Sequence, residues 1–165
     1  MSNVRRSMHV LGIARHPIEQ NLAPLEHRLE FDGWMPPVSG YVSLIAPAFQ
    51  EFTQHGESIE GLHIVARASG ASLARGIEIC NQLKAILLGR PSAWREHLGT
   101  IKRPNCEEAP LDIFIVRARA LRIVQHIEEL FVRAQKERAE VVYGNGGWYR
   151  RLCGIKAKPG EMYYS

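Results

Sequence analysis

The residues best suited to chemistry lie late in the chain. Trp148, Tyr149, Arg150, Arg151, Lys156 and Lys158 fall within eleven residues, with Tyr143, Tyr163 and Tyr164 nearby. Aromatic faces stack on bases and Arg or Lys side chains neutralise phosphates, so these residue types together suit a nucleic-acid surface. The segment opens on Gly144-Asn145-Gly146-Gly147. Glycines let backbone N–H groups come close to a phosphate because no Cβ stands in the way. The spacing is not that of a Walker A loop, which needs G-x-x-x-x-G-K-[ST]. The plainer reading of the same residues is that the glycines turn the chain sharply at a helix end. Trp148 and Tyr149 then fold back onto the core and the basic side chains are simply solvated.

A second basic group precedes it. Arg119, Arg122, Arg133 and Lys136 fall along one side of a helical stretch, with His126 and Glu129 between them. Such a row could track a nucleic-acid backbone. Glu129 precedes Arg133 by four, and Arg133 precedes Glu137 by four. Pairs of that kind are ordinary on helix surfaces, each contributing about 0.2–0.5 kcal/mol, so the row also fits a solvated face. Arg119 and Arg122 join the six tail residues as candidate nucleic-acid contacts.

Catalytic signatures are lacking. His16 with Glu19 and His126 with Glu129 stand three apart, a spacing that can place two metal ligands on one helix face. Nothing supplies the remaining ligands in a recognisable pattern, and H-E-x-x-H is absent. Cys106 is followed by Glu107 and Glu108, whose charge disfavours a reactive thiolate. Neither Ser69 nor Ser72 sits in a G-x-S-x-G elbow. The sequence nominates no catalytic residue, no metal ligand and no cofactor, and reads as non-enzymatic.

Charge geography agrees with the tail. The chain of 165 residues carries a formal charge of +4. Residues 1–56 sum to −1, residues 57–110 to +1 and residues 111–165 to +4. The excess sits in the last third, which suits an anionic partner. The three cysteines, Cys80, Cys106 and Cys153, form no C-x-x-C pair, which points to a reducing, cytoplasmic setting rather than a disulfide framework. The run after Arg5 and Arg6 is broken by His9 and Gly12, too short and polar for an export signal. No run of 18 apolar residues exists, so no membrane partner is expected.

The element that must position these groups is the stretch 111–142, which holds no Pro and no Gly. Ile113, Val116, Ala120, Ile123, Ile127, Leu130 and Ala134 recur at steps of three and four, which places them on one helix stripe. The pattern predicts a long helix over 111–142. A second helix is expected from Ser72, a capping residue, to Leu87, closed by Gly89 and Pro91. Residues 58–68 read as a helix, and residues 91–110 as an irregular connector with one short helix from Ser92 to Leu98. Residues 7–14 and 41–45 read as strands, and Pro47 as a helix start. Residues 16–34 read as a kinked helix, with a strand from His27 to Trp34 as the competing assignment.

The sum predicts a single domain over 1–165 that is mostly α: a helical bundle built on the long helix, with at most a small N-terminal β element. The alternative is α+β, with the N-terminal segments paired into a sheet on that helix. The expected function is phosphate-dominated nucleic-acid binding, or a place in a nucleoprotein assembly, through the basic C-terminal third. The alternative is a helical adaptor that binds a protein partner or a second copy of itself and no nucleic acid.

Overall fold

The computed structural model describes residues 7–15, 25–33, 40–53, 58–59, 62–101, 107–145 and 163–164. Strand β1 (Ser7–Ala14) alternates its side chains across a sheet, as the sequence predicts. It pairs antiparallel with β2 (Glu26–Gly33), which settles residues 26–33 as strand; residues 16–24 lie outside the described set. A short helix α1 (Gly40–Ile45) runs into a 3-10 helix (Ala46–Phe52) with Pro47 in its first turn, so 41–45 is helix rather than the expected strand. Strands β3 (Ser58–Ile59) and β4 (Leu62–Ala68) follow, then helix α2 (Ala71–Leu88). An antiparallel ribbon of β5 (Ala93–Ile101) and β6 (Ala109–Val116) leads to helix α3 (Arg117–Glu137) and strand β7 (Glu140–Asn145). The two-residue strand β8 (Tyr163–Tyr164) lies parallel to β2.

The architecture is α+β, not the predicted mostly α bundle. One sheet has the order β3-β4-β7-β1-β2-β8, and the ribbon β5-β6 stands apart from it. Three segments expected to be helical or irregular are strands. Residues 62–68 form β4, a segment whose sequence includes the strand-favouring residue types Ile64 and Val65. The stretch expected to be one helix over 111–142 contains β6, the shorter helix α3 and β7. Within the predicted connector, Ala93–Ile101 is strand β5, where the short helix from Ser92 to Leu98 was expected.

The amphipathic stripe survives where the helix does. Ala120, Ile123, Ile127, Leu130 and Ala134 are buried on α3, widened by Val124 and Phe131. Those residues cover the sheet face that presents Leu11, Ile13 and Val141, all in one core cluster. Across β1 and β7 the partners Leu11–Tyr143 and Ile13–Val141 share that face. On the opposite face Val10 and Val142 are also fully buried. The central strands are therefore apolar on both sides.

Helix α2 lies against α3 at close range. Gly76 is buried, and a Cβ at that position would run into the ring of Phe131. Lys84 and Glu128 pair across the two helices. The predicted stop at Gly89 is observed, whereas the start is not capped by Ser72: Gly70, at φ +56°, takes the cap position and no side chain bonds there. At the other end of α3, Arg138 adopts left-handed backbone angles, and Ala139 N–H reaches back to Ala134 C=O at 2.9 Å. That bond closes the helix and turns the chain directly into β7.

Candidate nucleic-acid interface

The ribbon and the start of α3 form one junction. Alternation along β5 and β6 puts Trp94 opposite Ile115 and Glu96 opposite Ile113 on one face. Ile115 is fully buried, and Trp94 and Ile113 pack against the core, so this face anchors the ribbon. Trp94 donates its indole N–H to Glu96 Oε2 at 2.7 Å. The other face carries Arg95 opposite Phe114 and His97 opposite Asp112. All four are exposed, Phe114 to 64%. His97 Nδ1 and Asp112 Oδ1 lie 2.8 Å apart. A bulge between His97 and Gly99 bends the outer part of the ribbon, and Gly99 holds φ +142°, which only glycine adopts at ease.

Arginines gather where the ribbon meets the helices. Arg90 lies over the Trp94 ring at 5.4 Å, and its backbone carbonyl accepts a hydrogen bond from the Arg117 guanidinium at 2.7 Å. Arg117 N–H bonds Ser92 C=O at 2.9 Å, which ties the first residue of α3 to the loop before β5. Arg119 lies over the ring of Tyr41 at 5.3 Å, and the Tyr41 hydroxyl accepts from Val116 N–H. Arg122, one turn further, is exposed. Among the described residues, Arg90, Arg95, Arg117 and Arg122 make no ion pair with a carboxylate.

Electrostatics make the placement unusual. No acidic residue occurs from Arg117 through Ile127, and the first turn of α3 contains none. The N-terminal end of a helix is already positive, so cations there oppose the helix dipole by typically about 0.3–1 kcal/mol each when exposed. Three arginines in the first two turns oppose that dipole, and an anion bound near the helix start would offset it.

The predicted candidates separate in this frame. Arg119 and Arg122 belong to the junction. Arg133 and Lys136, in the same predicted row, lie on the far half of α3, where a polar groove also contains Glu128, Glu129 and Glu137. Arg133 reaches Glu137 at 3.8 Å, as its spacing suggested. Trp148, Tyr149, Arg150, Arg151, Lys156 and Lys158 lie outside the described residues. Asn145, the last residue of β7, pairs with His9 on one side and His63 on the other.

Sequence reading missed Arg90, Arg95, Arg117 and Tyr41. The alternation of Trp94, Glu96 with Arg95, His97, matched by Ile113, Ile115 with Asp112, Phe114, is the signal that could have found the ribbon. It also would have shown that one face carries charge beside an exposed aromatic.

Among the described residues of the ribbon and helix, His97 and Asp112 form one hydrogen-bonded pair, and no third catalytic group is bonded to it. Among the described residues, no group of three or more His, Cys, Asp or Glu could hold a metal ion, and no helix is long and apolar enough to cross a membrane. Among the described residues, three titratable groups are shifted chiefly by burial. The Cys80 thiol is pushed up to about 12, mainly by burial and further by Glu128. Burial also raises the Tyr143 phenol and lowers the His126 imidazole, the latter against the opposing pull of Glu129. No protein-family model matches the sequence, and comparison with curated proteins and with solved structures returns no match.

Proposed function

We propose that the protein binds nucleic acid, or sits in a nucleoprotein assembly, through phosphate contacts made at the ribbon–helix junction, and does no chemistry on its partner. The observation that carries this reading is that Arg117, Arg119 and Arg122 occupy the first two turns of α3, with Arg90 tied to Arg117 and no acid on that helix before Glu128. A two-stranded ribbon is one of the few elements that fits a nucleic-acid groove, and nine-residue β5 spans about 30 Å at an ordinary strand rise. Exposed Phe114 beside Arg95 offers a ring for base stacking next to a cation for phosphate. The aromatic and basic tail at Trp148, Tyr149, Arg150, Arg151, Lys156 and Lys158 adds charge of the same sign by sequence. No side-chain arrangement at the junction reads a particular base, so the proposed binding is weakly sequence-selective.

Salt titration tests it. Affinity for a fluorescent duplex or single strand of about 20 nucleotides should fall as salt rises, each phosphate contact contributing a slope of about −0.9 in log–log form on duplex DNA. Replacing Arg119 and Arg122 together with Ala should flatten that slope by about two contacts and leave the melting temperature within a few degrees. An affinity that does not change between low and moderate salt would sink the proposal.

A second reading is a protein-binding adaptor. Ile86 and Leu88 at the end of α2, with Phe114 and Val116 on the ribbon, are exposed apolar side chains, at 61%, 64%, 64% and 38%. That reading expects a stable complex or dimer in sizing experiments at salt concentrations that abolish any nucleic-acid signal.

A further inference from the structure

Between the 3-10 helix, the sheet and α3 lies a partly open cavity of about 190 Å³. Its walls are mostly apolar. Phe49, Phe52 and Phe131 form one side, with Phe49 stacked on Phe131 at 5.8 Å and 8° and Phe52 tilted against both. Leu11, Ile45 and Val141 form much of the rest. The space has a definite origin in the sequence. Strand β4 presents Ala66 and Ala68 to the cavity where a longer side chain would fill it. The chain between Ile45 and Thr53 passes over it as a 3-10 helix interrupted at Phe49 rather than as a packed α-helix.

We propose that this cavity is a binding site for a small, neutral aromatic molecule of one ring, with room for a short substituent. Size follows from volume: an apolar cavity of about 150 Å³ stays dry and admits benzene, so one of about 190 Å³ holds a slightly larger molecule. Aromatic character follows from the walls, since ring edges and faces attract one another beyond simple area burial. Neutrality follows from charge. Arg67 is the one charged residue among the described residues of the wall, and its Nε faces Glu140 Oε2 at 3.7 Å. An anionic ligand would compete with Glu140, and a cationic one would be repelled by Arg67. Gln50 and Thr53 line the same cavity and give a polar substituent partners beside Arg67 and the two tyrosines of the wall. The site shares Tyr41 with the arginine junction but does not depend on that junction's function.

The experiment is a titration of the full chain with ethylbenzene and with indole, read by carbon-resolved methyl NMR, with benzoate as the charged control. Saturable shifts are expected in the methyls of Leu11, Ile45, Ile127 and Val141, with a Kd of about 1 mM or tighter, a scale ordinary for ligands of so few atoms. Benzoate should bind at least tenfold more weakly. Replacing Ala68→Leu should fill the space and weaken ethylbenzene binding at least tenfold. Shifts that are absent up to the solubility of both probes, or confined to methyls elsewhere, overturn the proposal. So does an Ala68→Leu chain that folds and binds unchanged. Should that variant fail to fold, the wild-type titration and the benzoate comparison decide the matter alone, and equal binding of benzoate overturns it.

Discussion

The guanidinium of Arg119 lies 5.3 Å from the centre of the Tyr41 ring, and that tyrosine's hydroxyl accepts a hydrogen bond from Val116 N–H at 3.2 Å. Val116 is the residue at which strand becomes helix, and it carries no side-chain cap. Tyr41 therefore completes the start of α3 from a different part of the chain. Tyr41→Phe keeps the ring under Arg119 but leaves the Val116 N–H without this acceptor. A loss of about 1 kcal/mol is expected from urea unfolding. Equal stability of the two proteins would show that water serves the N–H as well as the phenol does.

Gly76 marks a close approach of α2 to α3. In an exposed helix Gly→Ala would be stabilising by about 1 kcal/mol. Here the new methyl meets the Phe131 ring, and overpacking of this kind costs typically about 1–3 kcal/mol. Gly76→Ala should therefore lower the melting temperature, and Phe131→Leu in the same chain should restore part of the loss. A rise in melting temperature for the single variant would mean that the helices stand further apart than described.

Cys80 is fully buried on α2, and its thiol is pushed up to about 12 by burial with Glu128 adding to it. At pH 8 the folded protein holds almost no thiolate there. Iodoacetamide should leave Cys80 unmodified under native conditions and alkylate it after denaturation, as read by peptide mass spectrometry. Rapid native labelling of that peptide would contradict the packing of α2 against α3.

His126 is half-buried on α3, and burial lowers its imidazole below the ordinary value of about 6.5. Glu129 works in the opposite direction, while His27 adds to the lowering. The unfolded chain therefore holds more protons at this residue between the lowered value and 6.5. Stability from this group is fully present above that ordinary value and is lost as pH falls through the window beneath it. His126→Gln should flatten the fall in melting temperature between pH 7 and pH 5. Superimposable pH profiles for variant and wild type would remove His126 as a contributor.

How far the sequence could be read depended on which periodicity won locally. The stripe from Ala120 to Ala134 was legible because seven buried positions on α3 repeat at helical spacing with no competing pattern. Its continuation backwards through Val116 and Ile113 was misleading. Leu111 to Val116 satisfies both the helical step and a two-residue alternation, and neither Gly nor Pro separates the two elements. Tertiary pairing decided it, since β5 offers eight partners in register to β6. The same holds for β7, whose partners in β1 lie about 130 residues earlier, beyond the reach of any local window. Of the candidate contacts, Arg119 and Arg122 could be found from spacing alone. Arg90 could not, because only the folded chain ties it to Arg117 at the start of α3.

The position of β7 between β1 and β4 has a consequence for how the protein is made. Neither outer pair can join the other until the chain has been synthesised past Asn145. On the ribosome, β1 with Val10, Leu11 and Ile13 therefore waits with an open edge while most of the molecule emerges. Such an edge is a ready partner for other strands. Newly made chains should then depend on chaperones during elongation more than the completed protein does afterwards. A stalled product ending before Glu140 should aggregate where the finished one stays dispersed.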